Sequence, residues 1–288
     1  MNNITNKLVE IIQNWDAKGK NNESFGLIAE RIDLIVCAGE QLQLATFTCS
    51  TISASKMFGS SSWEYVSLDP TSNNLTNDIQ RMANLVKELR AVYKNTCLRI
   101  IIGNTDPYYI YTQQFALAKG GVDELWYQFA RRWAQYKEEL QKWVRGCVLD
   151  VPFEIVSWYV FEKEIERTQH ESFEQEFLDV LHQINKYAKA SDLDWEFQKL
   201  QQQFCVGGYF EGLERPDDVL LRDWVRRKFA EYALQALWIR EFMPNAILIQ
   251  NEKPSDLRTA MYQPLVRERC NEAFPVLYVC GVDNGGYQ

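Results

Sequence analysis

Histidine is almost absent from this chain, which has only two in 288 residues, His170 and His182. A histidine-rich metal centre is therefore excluded, and both residues lie in a charged segment with a helical pattern, where we expect them at the surface. The seven cysteines include no two that are close enough in sequence for a Cys-x-x-Cys pair. Since their number is also odd, the sequence predicts neither a disulfide framework nor a zinc site.

Long apolar runs are also missing. No stretch approaches the roughly 18 apolar residues that a membrane-spanning helix needs, and the N-terminal segment MNNITNKLVEIIQNW lacks the cationic and apolar regions of a signal peptide. We therefore expect a cytoplasmic protein with no membrane partner. An excess of basic residues is missing as well, because the net charge is −8. A nucleic-acid partner would have to bind a local basic patch.

Several well-known catalytic motifs do not occur in the sequence. It contains no GxxxxGK[ST] phosphate loop, no GxGxxG turn, no GxSxG elbow and no HExxH pair. Their absence counts against a P-loop enzyme, a dinucleotide-dependent oxidoreductase, a serine hydrolase of the usual type and a zinc protease.

Aromatic residues, by contrast, are abundant, at 13% of the chain. Rings of this size bury much area, so most of them predict a large aromatic core, and some could line a pocket. Tyr232 can be interpreted in either way, because it lies in the middle of a predicted helix, four residues after Lys228.

Strand and helix patterns alternate along the chain. Apolar runs rich in β-branched and aromatic residues predict strands at 31–37, 43–49, 98–102, 153–160 and 246–250, with 274–280 as a candidate for one more. Periodic apolar residues predict helices at 4–16, 75–93, 122–144, 173–187, 193–204 and from Pro216 to about Met243, before Pro244. This alternation predicts an α/β fold with an open, mostly parallel, Rossmann-like sheet and helices on both faces, in a single domain over 1–288.

Such sheets bind ligands beyond the carboxyl ends of their strands, and two predicted strands run into polar residues there. The strand at 43–49 is followed by Ser50 and Ser53, and a serine in this place could act as an exposed nucleophile. The same residues also fit a simple turn. After the strand at 98–102, Asn104 and Asp106 could hydrogen-bond an amine, a ribose or an adenylate, or merely form a turn.

The predicted helix at 125–145 carries the best local basic patch in the chain. Its aromatic residues recur at steps of three and four and share one face, whereas Arg131, Lys142 and Arg145 project from the other. These cations could contact phosphates. Acidic residues between them also fit an ordinary solvated face.

The order of these elements resembles that of the tRNA-dependent cyclodipeptide synthase family, whose fold is similar to the catalytic domain of a class I aminoacyl-tRNA synthetase. The resemblance rests on the nucleophile turn Thr48-Cys49-Ser50, the basic helix from Arg131 to Arg145, the strand at 153–160, and two motif tyrosines, Tyr232 and Tyr262. The family places the second tyrosine in a loop. Ala236 stands where its Tyr-x-x-x-Glu motif has the glutamate. The chain length is nearer that of the family's fungal, arginine-containing branch.

The resemblance implies a reaction that joins two aminoacyl groups, delivered by two aminoacyl-tRNAs, into a cyclic dipeptide. Ser50 would accept the first aminoacyl group, Tyr232 and a carboxylate would hold the substrate amine, and Tyr262 would position the dipeptide or relay a proton. No cofactor and no metal are implied, because the aminoacyl ester is already activated. An arginine substrate would need a buried carboxylate partner, for which Asp106 and Glu154 are candidates. The further contacts implied are those of the substrate with Ser53, Asn104, Asp106, Glu154 and Glu241, and those of the tRNA with Arg131, Lys142 and Arg145.

Two other functions fit the same pattern. A Rossmann-like transferase would bind a nucleotide or S-adenosylmethionine tightly. Such binding needs a glycine-rich turn, which the segment Cys37-Ala38-Gly39-Glu40 weakly resembles. A non-catalytic scaffold protein would use its aromatic helices as a partner surface and would tolerate replacement of Ser50. The fold does not decide between these functions, and the sequence leaves the joined amino acids and the oligomeric state open.

Overall fold

The computed structural model describes residues 3–16, 23–48, 73–102, 138, 141–142, 144–146, 151–157, 172–206, 210, 212–251, 257–271 and 275–279. The strands are β1 (Leu42–Thr48), β2 (Thr96–Ile102), β3 (Phe153–Ser157), β4 (Ala246–Asn251) and β5 (Val276–Val279). The helices are α1 (Asn3–Trp15), α2 (Glu23–Ala38), α3 (Asn73–Val92), α4 (Ser172–His182), α5 (Ile184–Tyr187), α6 (Ala190–Gln202), α7 (Asp218–Phe242) and α8 (Leu257–Cys270).

The five strands form one parallel sheet in the order β3-β2-β1-β4-β5. The chain therefore moves outward from β1 through β2 to β3 and then returns to the other side of β1 for β4 and β5. This reversal makes the boundary between β1 and β4 the topological switch point of the sheet. The predicted α/β fold with an open parallel sheet is confirmed.

The apolar composition of the central strands follows from burial on both faces. In β1 the consecutive residues Leu44 and Ala45 are fully buried, and in β2 so are Ile100 and Ile101. Consecutive side chains of a strand point to opposite faces. A sheet that is covered on both sides therefore selects continuous apolar runs rather than alternating ones.

Two layers of helices cover the sheet. Helices α1, α2 and α3 contact one another or the strands β1, β2 and β5, and helices α4, α5, α6 and α8 gather around α7. The connections β1–α3–β2 and β4–α8–β5 advance in opposite directions, so right-handed crossovers place α3 and α8 on opposite faces. From Lys228 to Ile239 the described side chains of α7 are buried except that of Glu231, which is partly buried, as expected for the central helix of its layer.

The strand predicted at 31–37 is wrong, because these residues belong to helix α2. Ile28, Ile32 and Ile35 are fully buried, whereas Leu34 is 63% exposed. Steps of four and three residues between the buried positions mark one face of a helix. The β-branched composition of the segment suggested a strand, but the spacing of its apolar residues determines the structure.

The remaining predicted elements agree with the structure where it describes them, except that the helix predicted at 173–187 is interrupted at Gln183 and forms α4 and α5. The strands after 31–37 match β1 to β5 to within three residues at each end, and the long helix from Pro216 is α7, with Asp217 as its N-cap accepting a hydrogen bond from the Leu220 amide at 2.8 Å. The helix predicted at 122–144 lies mostly outside the described residues. None of the helices in the described part of the chain has the length and apolar character that crossing a membrane requires.

Candidate active site

The carboxyl ends of β1 and β4 meet at the switch point. Ala45 is paired with Leu248, so Thr48 at the end of β1 and Asn251 at the end of β4 each lie three residues further on, at the same level. Ligands of open parallel sheets bind at this place. Ser50 follows two residues after the end of β1. Predicted site residues outside the described part of the chain are Ser50, Ser53, Asn104, Asp106 and Arg131.

Helix α7 brings Tyr232 to the level of this edge. Only three residues join the end of α7 to β4, so the helix runs back along the sheet. Tyr232 lies ten residues before Phe242, which corresponds to about 15 Å along the helix, and β4 itself rises by about 16 Å from Ala246 to Asn251. The Tyr232 side chain is only 1% exposed. Its ring is therefore buried, at a height along α7 that corresponds to the length of β4.

Tyr262 lies in helix α8, which starts at Leu257 after the carboxyl end of β4. The resemblance led us to expect this tyrosine in a loop, and that expectation is wrong. Helices α7 and α8 pack against each other, so the two predicted catalytic tyrosines belong to neighbouring helices that flank β4 in the chain. The side chain of Tyr262 is outside the described part of the structure.

A buried ion pair lies one helical turn from Tyr232. The Lys228 ammonium on α7 donates to the Glu196 carboxylate on α6, and both side chains are 3% exposed. The Lys228 nitrogen also lies 5.7 Å from the centroid of the Tyr232 ring, within the range of a cation–π contact. The sequence alone does not pair these two residues. A signal was present, because Glu196 precedes the buried Phe197 and Leu200, and Lys228 precedes the buried Phe229, on apolar helix faces.

The structure separates Glu241 from Tyr232. Glu241 lies in the last turn of α7, about 14 Å along the helix from Tyr232, and therefore near the amino edge of the sheet. Partial burial raises the pKa of the Glu241 carboxyl, the nearby Glu176 carboxylate raises it further, and Arg269 opposes both. Glu196, by contrast, is linked to Tyr232 through Lys228.

Glu154 belongs to a different part of the sheet. It is the second residue of β3, is paired in register with Arg99, and forms an ion pair with it at 2.9 Å. The Glu154 side chain is 56% exposed, so the structure does not give it the burial that we expected for a partner of an arginine substrate. On the same face, burial raises the pKa of the Cys97 thiol, which Arg99 partly offsets. Contact of Glu154 with a substrate stays a prediction.

Glu154 and Arg145 line a common cleft of about 490 Å³ at the outer strand β3. Lys142 and Arg145 are helical and exposed, while Val144 between them is fully buried. This part of the basic helix therefore has the solvent-facing cations that the sequence predicts. Whether these cations contact a tRNA stays a prediction.

Neither a metal-binding cluster nor a buried histidine is found among the described residues. No group of three or more histidine, cysteine, aspartate or glutamate side chains in that part of the chain could hold a metal ion. His182 is exposed at the end of α4, as predicted, and His170 lies outside the described residues.

Comparison with known proteins gives matches among solved structures only. No family model matches the sequence, and no curated protein matches it. Among solved structures, the chain is similar to one described as "structure of a CDPS from Fluoribacter dumoffii", CDPS being a cyclodipeptide synthase. The identity is 13% and the TM-score 0.41, over 82% of this chain and 89% of that chain. A likeness at these values does not establish an activity for this chain.

Proposed function

We propose that this protein is an aminoacyl transferase that joins two aminoacyl groups, delivered by aminoacyl-tRNAs, into a cyclic dipeptide. The observation that supports this most is the arrangement around the switch point. Strand β1 ends at Thr48, two residues before Ser50, and lies beside β4. The helices that precede and follow β4 carry Tyr232 and Tyr262 and pack together.

The reaction needs a nucleophile but no external activation. The Ser50 hydroxyl attacks the carbonyl of the first aminoacyl-tRNA, an ester to Ser50 forms, and the bond to the ribose oxygen breaks as that oxygen takes the proton. The amine of the second aminoacyl-tRNA then attacks this ester, which forms the peptide bond and restores the serine hydroxyl. Attack of the remaining amine on the second tRNA ester closes the ring and releases the second tRNA.

The other predicted residues serve binding in this proposal. Tyr232 holds the amine of the bound aminoacyl group, and Tyr262 positions the dipeptide or relays a proton. The exposed cations Lys142 and Arg145 contact tRNA phosphates, whose binding depends on such charges. For an arginine substrate, as in the fungal branch, Asp106 is the better candidate partner, because Glu154 is already paired with Arg99.

The turn at Gly39, which suggested nucleotide binding in the sequence, is the end of a helix in the structure. Gly39, in Cys37-Ala38-Gly39-Glu40, has φ of +69° and ends helix α2. Its amide bonds to the Val36 carbonyl, and the Glu40 amide bonds to that of Ile35, which is the Schellman arrangement of a helix C-terminus. This turn lies before β1, at the edge of the sheet opposite the switch point, so it does not form a phosphate-binding loop.

Mass spectrometry of the products tests the proposal. Purified protein is incubated with a full set of aminoacyl-tRNAs, beside Ser50→Ala and the neighbouring control Ser53→Ala. We expect a cyclic dipeptide from the wild type, none from Ser50→Ala, and product in reduced amount from Ser53→Ala. A product that survives Ser50→Ala would move the nucleophile elsewhere. No product from any set of aminoacyl-tRNAs would contradict the function and favour the scaffold interpretation.

A further inference from the structure

The ion pair between α6 and α7 differs from its neighbours in its burial. Lys228 and Glu196 are each 3% exposed, whereas Arg222 and Asp194, which join the same two helices at 2.8 Å, are 53% and 60% exposed. Removing two charges from water carries a large desolvation penalty, which their attraction offsets only in good geometry. A buried ion pair is therefore weak evidence for stability, since apolar residues of similar size often serve as well.

The pair lies against Tyr232. Trp224, Lys228 and Tyr232 follow one another at intervals of four residues on α7, and all three are almost completely buried. Helix side chains lean toward the N-terminus, so the ring of Tyr232 reaches back over the turn that carries Lys228. The distance of 5.7 Å from the ammonium nitrogen to the ring centroid agrees with this direction. The ring therefore has a charged neighbour whose own position is set from a second helix.

Glu196 also balances the charge of Lys228. A lone ammonium beside Tyr232 would repel the amine of a bound aminoacyl group, which carries a positive charge when protonated. The Glu196 carboxylate neutralises Lys228 at hydrogen-bonding range. The Lys228 ammonium can thus contact the face of the ring. Because its charge is neutralised, it adds no net positive charge where the substrate amine would bind.

We propose that Lys228, held by Glu196, is a positioning residue that fixes the ring of Tyr232 for contact with the substrate amine. This inference rests on the proposed function, because it assigns a role to a residue of the same site. It adds two residues, Lys228 and Glu196, that act through Tyr232 rather than on the reacting atoms.

The test compares two ion pairs that join the same helices. In the first variant, Lys228→Met and Glu196→Gln together remove both buried charges and keep similar shapes. In the matched control, Arg222→Met and Asp194→Asn remove the exposed pair. We expect both double variants to melt within a few degrees of the wild type. Only the first should lower kcat for dipeptide formation, by about tenfold to a hundredfold as for a misplaced catalytic group.

A second readout is independent of activity. Tyrosine is replaced by 3-fluorotyrosine, and the signal of Tyr232 is assigned in the ¹⁹F NMR spectrum by its loss in Tyr232→Phe. Removing the buried pair should shift and narrow this signal as the ring gains freedom, whereas the exposed control should leave it unchanged. If the wild type makes no dipeptide but the signal moves, the proposed function fails and the positioning contact stands.

Retained kcat and an unchanged Tyr232 signal in a folded Lys228→Met/Glu196→Gln variant would overturn the inference while leaving the proposed function intact. Should that variant not fold, Glu196→Asp shortens the carboxylate by one methylene and keeps both charges. We then expect a lower kcat and a shifted Tyr232 signal in Glu196→Asp. The separate variant Lys228→Arg should retain part of the activity, because it keeps the charge over the ring. No change in Glu196→Asp would equally overturn the inference.

Discussion

Single residues are most informative in this protein where a charged side chain occupies a place that packing would give to an apolar one. Glu196 and Lys228 both lie on apolar helix faces, and periodicity alone places them inward. Their charge suggests the surface, since such residues are almost never fully buried unless paired. The partner is 32 residues away in another helix, so sequence reasoning could mark each position as unusual but could not pair them.

Glu241 provides a prediction on pH dependence. Burial and the Glu176 carboxylate raise the folded-state pKa of Glu241 above its unfolded value of about 4.3. The folded protein therefore binds this proton more tightly, and the carboxyl destabilises the fold increasingly as pH rises through the window between the two pKa values. Glu241→Gln should thus raise the unfolding free energy at pH 7, by less than about 1 kcal/mol at an exposed site.

Urea unfolding of this variant at pH 7 and near pH 3 measures the effect, and the gain should vanish at the lower pH. Glu268→Gln is the control of opposite sign, because a hydrogen bond from Lys186 lowers the pKa of the Glu268 carboxyl. That variant should be less stable than the wild type at pH 7, with the loss fading as pH falls below the usual carboxyl range. Equal effects of the two substitutions would contradict this account of Glu241.

The helices and strands of this protein are determined by the spacing of their apolar residues and by the residues that cap their ends. The continuous apolar runs of β1, β2 and β4 and the capped start of α7 at Asp217 were predictable, because burial on both faces and an N-cap each leave a local pattern. Helix α2 was misread because its isoleucines and valine favour strands. Tyr262 was expected in a loop, and Pro264 inside α8 favours that interpretation, but the helix continues through it.

Gly39, just after α2, and Gly26, inside it, test how this helix ends. Gly39 has φ of +69°, and a methyl group there would meet nothing within 4 Å, so Gly39→Ala should destabilise the protein by about 1–2 kcal/mol through backbone strain alone. Gly26 lies inside the same helix, and its added methyl group would also meet nothing within 4 Å. Gly26→Ala should therefore stabilise the protein by about 0.5–1 kcal/mol. Thermal unfolding measures both, and a neutral Gly39→Ala would rule out the proposed strain.

The whole molecule depends on the order of its strands, which the sequence does not reveal. Alternating helices and strands predicted a parallel sheet, but several strand orders satisfy that alternation. The observed reversal between β1 and β4 makes Thr48 and Asn251 neighbours, and the helices of Tyr232 and Tyr262 precede and follow β4 in the chain. Long-range pairing of this kind follows from packing of the complete chain, whereas the candidate nucleophile turn after β1 was visible in the sequence itself.

The central claim is that Ser50 carries the first aminoacyl group, and intact-protein mass spectrometry tests it directly. The protein is mixed with one aminoacyl-tRNA at a time, quenched in acid, and weighed beside Ser50→Ala. We predict that at least one aminoacyl-tRNA adds the mass of one aminoacyl group to the wild type, that peptide mapping places the group on Ser50, and that Ser50→Ala stays unmodified. An adduct on another residue, or an equal adduct in Ser50→Ala, would contradict the account.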